Sequence, residues 1–202
     1  MDRRDALRRL AAAGVGTALA PPWVERLVAL AHARTAGPQH LGSIEQAAAP
    51  WTPTVLTAHQ NATVALISEL IIPATDTAGA AAAKVNEFID AILEDAHEAE
   101  RREFLGGLDW IDVRCRELFG DAFVACAAAQ QAALLTIISS DRNTALEDRA
   151  GVAFFRAVKA LTITGYYNSE VGMREELADD GVVFFPDDPG CTHPPHKDSE
   201  AL

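Results

Sequence analysis

Apolar positions recur at helical spacing through the middle of the chain, and the interruptions between them are easy to place. Thr57-Ala58-His59-Gln60 opens one run with a capping-box pattern, Thr57 placed to accept from the first backbone N–H groups and Gln60 to reach back. Behind it Val64, Ile67 and Ile71, with Leu66 and Leu70, hold a helical period until Pro73 stops it. Phe88, Ile89, Ile92 and Leu93 predict a second, short amphipathic helix. A third is expected from about Glu98 to Phe119, bent at Gly106-Gly107 and ended by Gly120. Leu134, Leu135, Ile137 and Ile138 predict a fourth helix, and Phe154, Phe155, Val158 and Leu161 a fifth. Ser169 is placed to cap a last short helix through Leu177.

Both flanks differ from this middle. Residues 34–53, with Gly37, Pro38, Gly42, Pro50 and Pro53, read as a linker or extended arm. After Gly181, Val182-Val183-Phe184-Phe185 is a short β-like run, and Pro186, Pro189, Pro194 and Pro195 prevent regular structure beyond it. The pattern therefore predicts an all-α fold, a compact bundle of about five to six helices over residues 54–180. An extended N-terminal arm precedes it, and an irregular proline-rich tail, residues 181–202, follows.

Composition supports a packed domain. Of 202 residues, 49% are hydrophobic and 23% charged, enough apolar material for a core despite a net charge of −12. That charge argues against a nucleic-acid binder, which needs an excess of Lys and Arg. Only 6% are aromatic and much of the apolar content is alanine, which favours helices over strands.

The basic residues are not spread evenly. Arg3, Arg4, Arg8 and Arg9 lie within the first nine residues, and the mildly apolar run Leu10 to Ala20 follows. This is the pattern of an export signal, too short to span a bilayer as a mature helix. The paired Arg3-Arg4, with Leu7 three positions on and then Arg8, resembles a twin-arginine signal, which carries cargo folded in the cytoplasm. Residues 1–33 are assigned to this signal, cleaved or retained. Ala18-Leu19-Ala20 has the small-x-small pattern of a cleavage site but is followed by Pro21, and Ala31-His32-Ala33 is a second candidate. Removing residues 1–33 takes five arginines and three acidic residues, leaving the remainder more acidic still.

The search for chemistry finds two small clusters. Glu94-Asp95-Ala96-His97 sets a carboxylate and an imidazole on one helix face, but a di-iron bundle needs two such motifs and two further glutamates. Cys191-Thr192-His193-Pro194-Pro195-His196 puts three borderline ligands for copper or zinc within six residues. A stand-alone exported metalloprotein built on Glu94 and His97 or on the Cys191–His196 tail is thus one reading. Cys115 and Cys126 flank Gly120 and read as buried helix-face residues, whereas Cys191 lies where it could bond to a partner chain. No haem, iron–sulfur, dinucleotide, phosphate-loop or nucleophile-elbow motif is present in the sequence.

A second reading comes from resemblance. The run Ile71-Ile72-Pro73-Ala74-Thr75-Asp76-Thr77-Ala78-Gly79-Ala80 resembles the signature of the gluconate 2-dehydrogenase subunit 3 family. Glu87-Phe88-Ile89-Asp90, Phe119-Gly120 with Phe123, Gln130-Gln131 with Leu134-Leu135, and Gly165-Tyr166-Tyr167-Asn168-Ser169-Glu170 with Gly172 match in the same order. The likeness spans about residues 54–190, and the twin-arginine start is typical of the family. Ala78 stands where the family usually has proline, and Cys126 where an aliphatic residue is common.

The resemblance implies an accessory subunit, with no catalytic, cofactor or metal residues of its own. It implies pairing with a large flavin-dependent dehydrogenase of the glucose–methanol–choline type, often with a membrane cytochrome c subunit. The large subunit carries FAD and lacks its own signal, so the small one assists its folding and carries it through the twin-arginine machinery into the periplasm. Pro73, Asp76 and Gly79 read as a fold-defining corner. Tyr166, Tyr167 and Ser169 read either as a second corner or, with Cys191 and the tail, as a partner interface.

Overall fold

The computed structural model describes residues 20–36, 51–140 and 142–178. Among them are six α-helices and no strand: α1 Pro22–Thr35, α2 Ala58–Ile71, α3 Val85–Asp95, α4 Glu98–Phe119, α5 Ala128–Ser139 and α6 Arg149–Tyr167. A 3₁₀ turn, Phe123–Ala125, joins α4 to α5, and a π-helical turn, Val171–Glu176, follows α6. The all-α expectation is met.

α6 is the axis of the bundle and packs against each of the other five helices. Its sequence explains why. Gly151, Ala153, Phe154, Phe155, Ala157, Val158, Leu161, Thr162, Thr164, Gly165 and Tyr166 are all buried, so it offers an apolar surface on most sides rather than one stripe. Each large side chain such as Phe154 or Leu161 contributes about 1.5–3 kcal/mol by leaving water. Glycines set how near α4 comes to this axis. A Cβ on Gly107 would sit 2.4 Å from the Cβ of Phe154, and one on Gly151 would sit 2.1 Å from the Trp110 ring. The Phe104 and Phe154 rings meet edge-on at 5.1 Å beside them. α4 runs unbroken from Glu98 to Phe119, and Gly107 serves a close helix contact within it. At the far end Gly120, with φ of 93°, takes the left-handed conformation that ends the helix.

The capping box at Thr57 forms as expected. Gln60 N–H donates to Thr57 Oγ1 at 3.2 Å, and Thr57 N–H donates to Gln60 Oε1 at 3.0 Å. The approach to it is fixed by Asp90 on α3, which is 2% exposed. Its carboxylate accepts the backbone N–H groups of Thr54, Val55 and Leu56 at 2.7, 3.1 and 2.8 Å.

Of the arm expected over residues 34–53, Arg34 and Thr35 complete α1, and residues 37–50 lie outside the described residues. Val24, Leu27 and Ala31 put α1 against the core, and α1 touches α3, α4 and α6. Arg26 pairs with the carboxylate of Glu100 at 2.8 Å, and Arg34 pairs with Asp95. The expected boundary at residue 33 thus falls inside a helix of the bundle. Among the described residues no helix is long and apolar enough to cross a membrane.

Candidate functional site

The two motifs that carry most of the family likeness come together at one end of the bundle. Pro73 ends the run of α2, and the loop to α3 folds back so that Ala80 N–H donates to the Ile72 carbonyl at 3.0 Å. Glu69, in the last turn of α2, organises this loop with both carboxylate oxygens. Oε1 accepts Ala74 N–H at 2.8 Å and Oε2 accepts Ala81 N–H at 2.9 Å. Gly79 is required by that arrangement: a Cβ there would lie 2.5 Å from Glu69 Oε1 and 2.6 Å from the Ala74 nitrogen. Thr75 Oγ1 donates to Asp76 Oδ1 at 2.7 Å, the local turn role read from the sequence.

The second corner closes on the first. The Tyr166 hydroxyl donates to the Ala78 carbonyl at 2.8 Å, and Thr77 Oγ1 donates to Glu176 Oε2 at 2.7 Å. Ala78 N–H points to Glu175 Oε2 at 3.5 Å, a donor that the proline usual in the family would lack. Ser169 Oγ donates to the Tyr166 carbonyl at 2.6 Å and accepts Gly172 N–H at 3.0 Å. Expected to cap a last short helix, it bonds an N–H of the turn that follows, which is π-helical with Glu170 at its N-cap. A Cβ on Gly172 would come 2.0 Å from the Tyr166 carbonyl oxygen.

Tyr166 is fully buried, and of its two readings its contacts fit the corner. Its ring belongs to the core and its hydroxyl is spent on Ala78, so it acts as a fold-defining corner. Tyr167 and Ser169 are half-buried at the rim of the same corner, with the Tyr167 ring edge-on to Tyr166 at 5.2 Å. Arg3, Arg4 and Cys191 lie outside the described residues, as do the β-like run and the Cys191–His196 cluster.

A second polar cluster lies on the other side of the bundle, and the sequence reading missed its hub. Asp112, buried on α4, accepts Phe123 N–H at 3.0 Å, pairs with His59 Nε2, and has Arg116 at 3.6 Å. Gln131, also buried, donates to the carbonyls of Phe123 and Cys126 at 2.9 and 3.0 Å. Cys115 is one turn beyond Asp112. An aspartate–histidine pair near a cysteine invites a nucleophilic reading, but the thiol is the wrong species for it. Burial above all, then a hydrogen bond with Cys126 and the charges of Cys126 and Asp112, push Cys115 up to about 12, with Arg116 acting the other way. It is a buried neutral thiol. Cys126 is buried too, but ends the 3₁₀ turn rather than lying on a helix face.

Glu94 and His97 are exposed and stand in framework positions. The Glu94 carbonyl accepts from Arg101 at 2.8 Å, and His97 precedes the first turn of α4. Among the described residues no three His, Cys, Asp or Glu side chains lie close enough to hold a metal ion. An open groove of about 510 Å³ lies between Pro21 and the Leu146, Val152 and Arg156 side, and another of about 520 Å³ runs along α1 past Val24, Val28 and Arg156.

A family model described as gluconate 2-dehydrogenase subunit 3 matches residues 58–182. No curated protein and no solved structure matches the chain.

Proposed function

Because the chain belongs to the gluconate 2-dehydrogenase subunit 3 family, we propose that it is a non-catalytic accessory subunit of a periplasmic flavin-dependent dehydrogenase. The complex acts on a sugar, sugar acid or related alcohol. FAD sits in a large partner subunit, a membrane cytochrome c accepts the electrons where one is present, and the Arg3-Arg4 signal takes the assembled pair through the twin-arginine route.

The observation that carries this reading is how the motif residues are used. Asp90, Gln131, Tyr166 and Gly172 are all committed to backbone ties or close packing within the chain. The described motif residues serve the framework, which supports a subunit that acts through its outer surface. The rim of the corner, Tyr167 and Ser169, together with residues 181–202 and Cys191, is the surface assigned to the large subunit.

Co-expression with a large flavin-dependent dehydrogenase subunit of the same organism tests this. Soluble, flavin-loaded large subunit is expected in the periplasm only with this chain present, and Arg3→Lys with Arg4→Lys should leave both in the cytoplasm. A large subunit that folds, binds flavin and is exported equally well without this chain would overturn the proposal.

A further inference from the structure

α1 precedes the region matched to the family, yet it is built into the fold. Leu27 is 1% exposed and Ala31 fully buried, and α1 lies along α6, the axis of the bundle. Its two arginines are paired as well. The side chain of Glu100 is only 4% exposed and meets Arg26 at 2.8 Å, while its other oxygen, Oε2, has no hydrogen-bond partner. Docked α1 thus supplies the ion-pair partner of a carboxylate held in the packed bundle. The second candidate cleavage site, Ala31-His32-Ala33, lies wholly within this helix.

We infer that α1 is a permanent part of the working subunit, and that processing of the export signal is confined to bonds at or before Ala20–Pro21. This rests on the export reading above. A signal peptidase binds its substrate as an extended strand and adds water across one peptide bond, leaving a carboxylate on the signal and an amine on the mature chain. Cutting after Ala33 would require Ala31 to leave the core and the α1 backbone to give up its helical bonds. Cargo that folds before export reaches the peptidase with α1 already docked. The bond after Ala33 is therefore protected by the fold, and the change from signal to body falls at the Pro21-Pro22 start of α1.

The full chain, produced with its flavoprotein partner in a host with a twin-arginine route, tests this by intact mass. The exported chain should begin at Met1 or at a residue no later than Pro21; a chain beginning at Arg34 would overturn the inference. A second measurement does not depend on export. In the full chain carrying Arg3→Lys and Arg4→Lys, the Arg26–Leu27 bond should be cut by trypsin at least about 100-fold more slowly than in the urea-unfolded chain. Leu27→Ala or Glu100→Gln should bring that rate up by about 10-fold or more. Native cutting at the unfolded rate would show α1 undocked and overturn the inference. A chain that stays full-length in the cytoplasm defeats the export reading alone, and the trypsin comparison then decides whether α1 is docked.

Discussion

The Tyr166 hydroxyl donates to the carbonyl oxygen of Ala78 across 88 residues of sequence, at 2.8 Å. This one bond ties the two corners on which the family likeness rests. Tyr166→Phe keeps the ring in its buried place and removes only the donor. The unpaired carbonyl should cost about 1–2 kcal/mol, a fall in Tm of about 2–8 °C for a chain of this size. Thermal denaturation followed by circular dichroism measures it; an unchanged Tm would mean that water replaces the bond at no cost.

Gly79→Ala attacks the same junction from the other side. The added methyl would press on the Glu69 carboxylate at 2.5 Å and on the Ala74 nitrogen at 2.6 Å. Glu69 could swing aside only by releasing the Ala74 and Ala81 N–H groups, so relief of the clash carries its own penalty. A loss of about 2–3 kcal/mol is expected. Glu69→Gln, which keeps the size but turns one acceptor into a donor, should lose less and should speed hydrogen exchange at Ala74 or Ala81. Full stability in both variants would show that the loop is not held by Glu69.

Asp90 is a test of a different kind, because it holds a segment rather than a corner. Its carboxylate receives three successive N–H groups from Thr54 to Leu56. Asp90→Asn replaces an acceptor with a donor facing those N–H groups, at an expected cost of about 3 kcal/mol. Hydrogen exchange of the amides at 54–56 should rise far more than that of α6, where the core is densest. Uniform protection across both would argue against Asp90 as the anchor.

What the sequence disclosed follows from how local each signal is. Thr57 and Gln60 lie three residues apart and both ends of α4 are marked in the chain, so these elements were legible. Glu69, Asp90 and Asp112 were not, because each reaches backbone groups 5 to 36 residues away, and nothing at the carboxylate itself names its partner. Tyr166 stayed open between two readings for a related reason. A tyrosine suits an interface or a core equally well, and only the carbonyl at Ala78 decides between them. α1 was hidden by its neighbours: Val24, Leu27, Val28 and Ala31 have helical spacing, but they follow four arginines and an apolar run that match a signal.

The Cys115 thiol gives a prediction with a sign. It is fully buried and pushed up to about 12, chiefly by burial, so the native chain keeps its proton through the neutral range. In a Cys191→Ser background, iodoacetamide at about pH 8, near the ordinary thiol range, should label Cys115 only after denaturation. Equal rates in native and unfolded chains would disprove its protection. The same shift links to stability. Below the ordinary thiol value both states hold the proton, and the group adds no pH dependence. Between that value and about 12 the unfolded chain has released a proton that the native chain still binds, so stability falls as pH rises. Cys115→Ala should lower Tm at neutral pH by leaving a small cavity, yet should remove this part of the alkaline decline. The Tm difference between the two proteins is therefore expected to narrow as pH climbs above the ordinary thiol range. A constant difference across that range would place the source of any alkaline instability elsewhere.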